Sequence, residues 1–435
     1  MGRISGIHLM TGVFPAIIAI LACGAAAVLL LRRGRRWLLF VAGGAALATV
    51  LTGAIDWYIV HVLGLTAYDL PLEVSLWIGV GVMAVLLMVL NLVFGKRLRR
   101  LLAPVAMTVV LLSSAMQINT YFDAYRTIGD VTGASTASIT PFRAKPLQSI
   151  GSSNAPTGPV ISHWVEPAGL PAHGTVNSVQ IPGNVSGFTA RTGYVYLPPA
   201  YQAPRHPLLP VLVLITGQPG APAGWLKSGR LQFLMDSFAA AHKGLAPVVV
   251  VPDVNGSNLG NTMCLDSNIA LADTYLSVDI PRWIKDSLGI DPNPKHWVIG
   301  GFSFGGTCAL QMAALHPKIY PSAIDLSGEL EPSLAADRSA TIAAAFGGNS
   351  AAFDAVTPLN VMARTRYPDS WIYFAAGAQD GQFSEYMNQV ATAAKASGMT
   401  VATDSVPGAG HAWTVPIQAL GPALTWLAPR LGLAR

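Results

Sequence analysis

Four apolar, nearly uncharged runs fill the first part of the chain, at 8–31, 37–63, 72–95 and 101–120. Each is close to the ~20 residues that carry a helix across a bilayer core. After residue 120 the pattern changes. A connector over 121–172, with TGASTAS, GSSNAPTGP and several prolines, has neither period. From about 173, short β-like runs alternate with helical stretches: TVNSVQI, ARTGYVYL, PVLVLIT (210–216), PVVVVPD (247–253), HWVIGGF (296–302), PSAIDLS (321–327), SWIYFAA (370–376) and TVATDSV (400–406). The pattern therefore predicts a four-helix transmembrane region at 1–120, a connector at 121–172 and an α/β domain at 173–435 on a mostly parallel, eight-stranded sheet.

Composition sharpens the division. With 52% hydrophobic and only 11% charged residues, the chain is too apolar for an ordinary soluble protein. Residues 1–120 hold nine Lys and Arg against three acids, whereas the remainder holds 18 against 19. The basic residues sit in two links, RRGRR (32–36) and KRLRR (96–100), and the link GLTAYDLP has none. Positive-inside bias puts both basic links in the cytoplasm, so the domain after the fourth span faces outward from the cytoplasmic membrane. The positive charge thus reports topology; there is no basic groove with interleaved aromatics, and no nucleic-acid partner is expected.

Within the first run, Ile20-Leu21-Ala22-Cys23 faintly suggests a cleavage site. Apolar sequence nevertheless continues to Leu31 and ends in arginines, which favours a span with Cys23 packed inside it. Asp56 and His61 in the second run lie beside Trp57 and Tyr58 toward its outer end. They read as interfacial packing or, alternatively, as part of a floor for a lipid substrate. Polar residues along the spans are too few for a channel or transporter.

The chemistry concentrates in VIGGFSFGGTCAL, residues 298–310. A strand precedes Ser303 and a helical stretch, TCALQMAAL, follows it, as a nucleophile elbow requires. Gly301 and Gly305 let strand and helix approach each other closely. A serine hydroxyl needs a base to take its proton, and the base needs an acid to orient it. Asp380 follows strand SWIYFAA and His411 follows strand TVATDSV, in the order serine, acid, histidine. Glu385, Glu329 and Glu331 are alternative acids. Oxyanion donors are expected from the backbone N–H groups of Phe304, next to the nucleophile, and Gln218, in the loop ITGQPG after PVLVLIT. Trp225 and Trp413 flank this site as walls of an acyl pocket, or simply pack. Cys264 and Cys308 lie in the outward domain, where a disulfide could tie a loop to the nucleophile helix; two buried thiols are the alternative. No HExxH, paired CxxC or acidic loop occurs, so neither metal nor cofactor is expected.

With GGFSFGGTCALQMAALHP, AAGAQD and GAGHAW, residues 190–430 resemble the branch of the α/β-hydrolases that holds esterase D, feruloyl esterases and mycobacterial mycolyltransferases. Together with the four spans, the chain resembles membrane-anchored esterases of actinobacteria, some of which are thought to remove amino acids from aminoacylated phosphatidylglycerol. The resemblance implies ester chemistry through Ser303, His411 and Asp380, with donors at Gln218 and Phe304. The loop ITGQPGAPAGW departs from it in lacking the histidine-glycine pair common before such oxyanion holes. The expected activity is a membrane-tethered serine esterase acting on lipid-linked esters at the outer face of the cytoplasmic membrane. Its partners would be the bilayer and a membrane lipid substrate. An acyltransferase delivering to a cell-envelope sugar or lipid, and a non-catalytic envelope scaffold, are the alternatives.

Overall fold

The computed structural model describes residues 2–64, 69–143, 158–334 and 336–435. The connector run GSSNAPTGP lies mostly outside the described residues, as does part of the link GLTAYDLP. The chain divides into two compact units, Met1–Ala137 and Ser138–Arg435.

The first unit is built from four helices, α1 (Val13–Leu30), α2 (Arg35–His61), α3 (Leu72–Phe94) and α4 (Arg97–Phe122), each long and apolar enough to cross a membrane. Gly34, at a φ of 132°, separates α1 from α2. The packing departs from chain order at the first helix: α1 packs on α4, α4 on α3, and α3 on α2, while α1 and α2 scarcely touch. Small residues at the contacts, among them Ala84, Ala103 and Ala106, let the backbones come close. Polar side chains tie the end of the bundle that carries the basic links. The Asn91 amide donates to the carbonyls of Leu29 (3.0 Å) and Leu87 (2.9 Å), and Arg99 donates to those of Val28 and Leu31. These contacts satisfy carbonyls that the end of α1 leaves without helical partners. Leu21, Leu38, Leu76 and Leu101 all point outward. Cys23 is exposed rather than packed, because α1 turns inward the stripe containing Ala22, Ala25, Ala26 and Leu29, and Cys23 falls off it.

The unit boundary falls inside the stretch read as a connector. Residues 123–137 pair with the segment that precedes α1: the Leu9 N–H donates to the Arg126 carbonyl (2.8 Å), and a short helix, Ile128–Thr132, begins with a reciprocal Thr127–Asp130 cap. From 138 onward the chain belongs to the second unit, where the Phe142 N–H donates to the Ser178 carbonyl (2.8 Å).

The second unit carries an eight-stranded sheet in the order β1-β2-β4-β3-β5-β6-β7-β8. The strands are β1 (Thr175–Val179), β2 (Gly193–Leu197), β3 (Val211–Ile215), β4 (Val248–Val251), β5 (Trp297–Phe302), β6 (Ser322–Leu326), β7 (Trp371–Gly377) and β8 (Thr400–Val406). Each lies within one of the eight runs legible in the sequence, apart from β7, which extends one residue further to Gly377. Only the pairings of β2, with β1 and β4, are antiparallel. Strands β3 to β6 are buried along their whole length, as continuous apolar runs predict for strands covered on both faces. The chain leaves β3 for β4 on one side and returns to β5 on the other. This switch places the ends of β3 and β5 at the crevice where open α/β sheets bind ligands. Cys264 and Cys308 are joined in a disulfide with a Cα–Cα distance of 5.6 Å.

Candidate active site

Strand β5 runs directly into helix α5 (Phe304–Leu315), and Ser303 is the hinge between them, at φ 58° and ψ −121°. A non-glycine residue in this region is strained, and the surroundings hold it there. The Ser303 N–H donates to the Leu326 carbonyl (2.8 Å), and the Ser303 carbonyl accepts from Gly306 (2.8 Å) and Thr307 (3.1 Å). The turn leaves no room for side chains beside it: a Cβ on Gly305 would lie 2.2 Å from the Ile215 carbonyl oxygen, and one on Gly301 would lie 2.3 Å from that of Gly305. Glycine at both positions is therefore a packing requirement.

Two further strand ends bring the partners. Strands β7 and β8 are parallel neighbours, and their following loops are laced by Ala378 N–H to the Val406 carbonyl and Gln379 N–H to the Ala409 carbonyl, both 2.9 Å. Asp380 then caps helix α6 (Gly381–Ala396), its Oδ1 accepting the Phe383 N–H at 3.2 Å. His411 stands opposite, with Nδ1 3.1 Å from Asp380 Oδ2 and Nε2 2.8 Å from Ser303 Oγ. Serine and imidazole are 8% and 6% exposed, enough for reagent access and little enough to keep the hydrogen bonds away from bulk water. The imidazole lies between the rings of Phe302 (5.2 Å) and Phe383 (4.0 Å).

The alternative acids are engaged elsewhere. Glu385 is exposed and accepts from Gln389, Glu331 pairs with Arg338 at 2.7 Å, and Glu329 accepts the Ser333 hydroxyl at 2.6 Å. Desolvation, with a smaller push from Glu331, lifts the Glu329 carboxyl to about 7 against the pull of that hydroxyl. Asp325 lies on β6 beside Gly301, fully buried below the elbow. Its Oδ1 accepts the Gly328 N–H (2.8 Å), and its Oδ2 has no partner among the described residues. Burial pushes this carboxyl up to about 7, the Gly328 bond opposing it.

Phe304 is the first residue of α5, where a backbone N–H has no intrahelical acceptor. The loop after β3 runs against the elbow: a Cβ on Gly217 would lie 3.5 Å from the Ser303 Cβ, so Gln218 follows at the edge of the nucleophile. A polar cluster that pattern reading did not single out holds this loop. Arg191 grips Asp253 through Nε (3.0 Å) and a terminal nitrogen (2.7 Å), and also donates to the Gly220 carbonyl (3.1 Å) and to Asn258 Oδ1 (2.6 Å). The Gly220 N–H in turn donates to the Asn258 carbonyl (2.9 Å). The only hint in the sequence is an aspartate ending the valine run of β4. Trp413 is partly exposed and packs 5.2 Å from Phe302. Trp225 is wholly buried, its indole N–H donating to the Ile215 carbonyl (3.0 Å), and it backs Trp413 edge-on instead of facing a pocket. Among the described residues no group of three or more His, Cys, Asp or Glu could hold a metal ion.

A serine held at a strained strand-to-helix turn, hydrogen-bonded to a histidine that is itself bonded to an aspartate, all at the strand ends of this sheet, defines a serine hydrolase of the α/β-hydrolase class. Residues 189–425 match the family described as "Putative esterase", and the chain belongs to that family, the carboxylic ester hydrolases. An uncharacterized protein of Corynebacterium glutamicum is 31% identical over 424 residues, covering 96% of this chain and 95% of the relative. Two solved structures share the fold of the second unit. One is a ferulic acid esterase (TM-score 0.52, 17% identity, 60% of this chain and 99% of that one). The other is an S-formylglutathione hydrolase from Agrobacterium tumefaciens (TM-score 0.50, 19% identity, 60% of this chain and 97% of that one).

Proposed function

We propose that this protein is a membrane-anchored serine esterase that hydrolyses lipid-linked carboxylic esters, aminoacyl-phospholipids among them, at the outer face of the cytoplasmic membrane. The observation that carries the reading is the 2.8 Å contact between His411 Nε2 and Ser303 Oγ, with Asp380 on the opposite ring nitrogen. Four helices of membrane-spanning length and the two basic links support the anchor and its orientation.

In this reading His411 takes the Ser303 proton as Oγ attacks the ester carbonyl, and Asp380 favours the imidazolium that forms. The oxyanion receives the N–H groups of Phe304 and Gln218, each such donor being worth about 10²–10³ in rate. His411 then returns its proton to the departing alcohol, leaving the acyl group on Ser303. Water, activated by the same imidazole, attacks the acyl carbonyl and releases the acid. The chemistry requires only groups of this chain.

The test uses the full chain in detergent or nanodiscs. Ser303→Ala should lose ester turnover by about 10⁶ and lose labelling by a fluorophosphonate. Membrane lipids incubated with the active protein, but not with Ser303→Ala, should lose an ester-linked species. Retained turnover in the variant would overturn the serine mechanism, and an unchanged lipid extract would overturn the substrate class.

A further inference from the structure

The first unit contains a cavity of about 690 Å³ that no part of the ester chemistry uses. It exists because α1 and α2 scarcely touch: the two stand as walls, with Leu29 and Leu30 on one side and Ala48 and Gly53 on the other, and α3 forms the floor through Gly79 and Met83. Its size and its lining, mostly apolar with few polar groups, are those of a small-molecule site. Its length is informative. Along α2 it runs from Ala45 to Asp56, and along α3 from Leu72 to Leu87. At 1.5 Å per residue these are about 16 and 22 Å, the depth of one leaflet of a ~30 Å hydrocarbon core or somewhat more.

The polar end is equally specific. Thr49 and Thr52 line the cavity, but their hydroxyls donate back to the carbonyls of Ala45 (3.1 Å) and Ala48 (2.8 Å) and are spent there. Asp56 is different: its Oδ1 is buried and has no hydrogen-bond partner among the described residues. A carboxylate oxygen withdrawn from water is costly until a donor reaches it, and a cation at that position removes the cost. An apolar slot one leaflet deep, lined toward one end by a carboxylate with one buried, unpartnered oxygen, is complementary to an amphiphile with a protonated amine next to its acyl chain.

We infer that this cavity is a binding site for one membrane lipid with an ammonium headgroup, its chain lying between α1 and α2 over α3 and its ammonium donating to Asp56. The inference rests on the membrane location of the helices proposed above and is independent of the triad.

Native mass spectrometry of the full chain, delipidated and then titrated with phosphatidylethanolamine, phosphatidylcholine or phosphatidylglycerol, tests it. Phosphatidylethanolamine, with N–H donors, should be retained about tenfold more than the other two, and Asp56→Asn should abolish that preference. A second variant guards against misfolding. A Cβ on Gly53 meets nothing within 4 Å, so Gly53→Leu has room to set its side chain at the cavity wall and narrow the slot, and in a helix it should not weaken the fold. That variant should lose retention of all three lipids. Equal retention of the three by the wild type, a preference surviving in Asp56→Asn, or unchanged retention in Gly53→Leu would each overturn the site. Recovery of the chain in the soluble fraction after carbonate extraction would instead overturn the membrane reading on which it rests.

Discussion

The Phe383 ring sits 4.0 Å from the His411 imidazole, while the backbone N–H of the same residue holds the Oδ1 of Asp380. One residue therefore fixes both the acid and the base of the triad. Phe383→Leu keeps the backbone bond and removes the ring. It should lower kcat about tenfold with little change in KM, because the imidazole then samples orientations that do not point at Ser303 Oγ. Steady-state kinetics on a short soluble ester would read this, and an unchanged kcat would deny the ring a positioning role.

Arg191 makes a second prediction. It reaches the loop after β3 at the Gly220 carbonyl, and holds Asn258 of the loop after β4, whose carbonyl accepts the Gly220 N–H. Arg191→Ala should cost roughly 10² in kcat by releasing the Gln218 N–H, close to the loss of one oxyanion donor. Fluorophosphonate labelling of Ser303 should slow in parallel, since that adduct also needs the oxyanion donors.

Asp325 gives a pH dependence whose sign can be worked out. Its carboxyl is raised from 3.8 to about 7 by burial, so between these values the unfolded chain has released a proton that the folded chain keeps. The folded state then binds more protons, and stability falls as pH rises from about 4 to 7, levelling above that. Asp325→Asn cannot ionise. Its stability should gain on the wild type across that window by an amount on the order of a few kcal/mol, read as a difference in thermal midpoint that grows with pH. Parallel melting curves of the two proteins from pH 4 to 8 would show a constant difference, instead of one that widens with pH, if the carboxyl is already ionised at acid pH.

The Cys264–Cys308 bridge closes a sequence separation of 44 residues. Removing both thiols, as Cys264→Ala with Cys308→Ala, should cost about 3–4 kcal/mol and lower Tm by roughly 10 °C. Below the new midpoint ester turnover should persist, because neither sulfur touches the triad. Thermal melts with and without a reductant on the wild type should reproduce the shift.

The architecture was largely legible because its signals are local. The central strands β3, β4 and β5 are short apolar runs rich in valine and isoleucine, and the glycines around Ser303 mark a turn that nothing larger fits. Serine, acid and histidine were readable in chain order because each sits just past a strand end. What escaped reading depends on contacts between distant segments. Arg191 and Asp253 meet only because β4 inserts between β2 and β3, an arrangement that the chain order of the strands does not imply. The burial of Trp225 behind Trp413 likewise follows from how two loops stack. The gap between α1 and α2 was invisible for a similar reason: hydropathy locates a span but says nothing of which spans are neighbours.

That neighbour order has a consequence for how the anchor is made. The Trp37 indole N–H takes the Leu30 carbonyl within the opening pair of helices, but the carbonyls of Val28, Leu29 and Leu31 receive their donors from Asn91 and Arg99, so the end of the first helix stays incompletely paired until the third and fourth have been made. Bundle closure belongs to the moment when the last basic link has been synthesised. A nascent chain halted before Arg99 should therefore leave the carbonyls of Val28 and Leu31 without their donor and its leading helix more open to quality-control proteases.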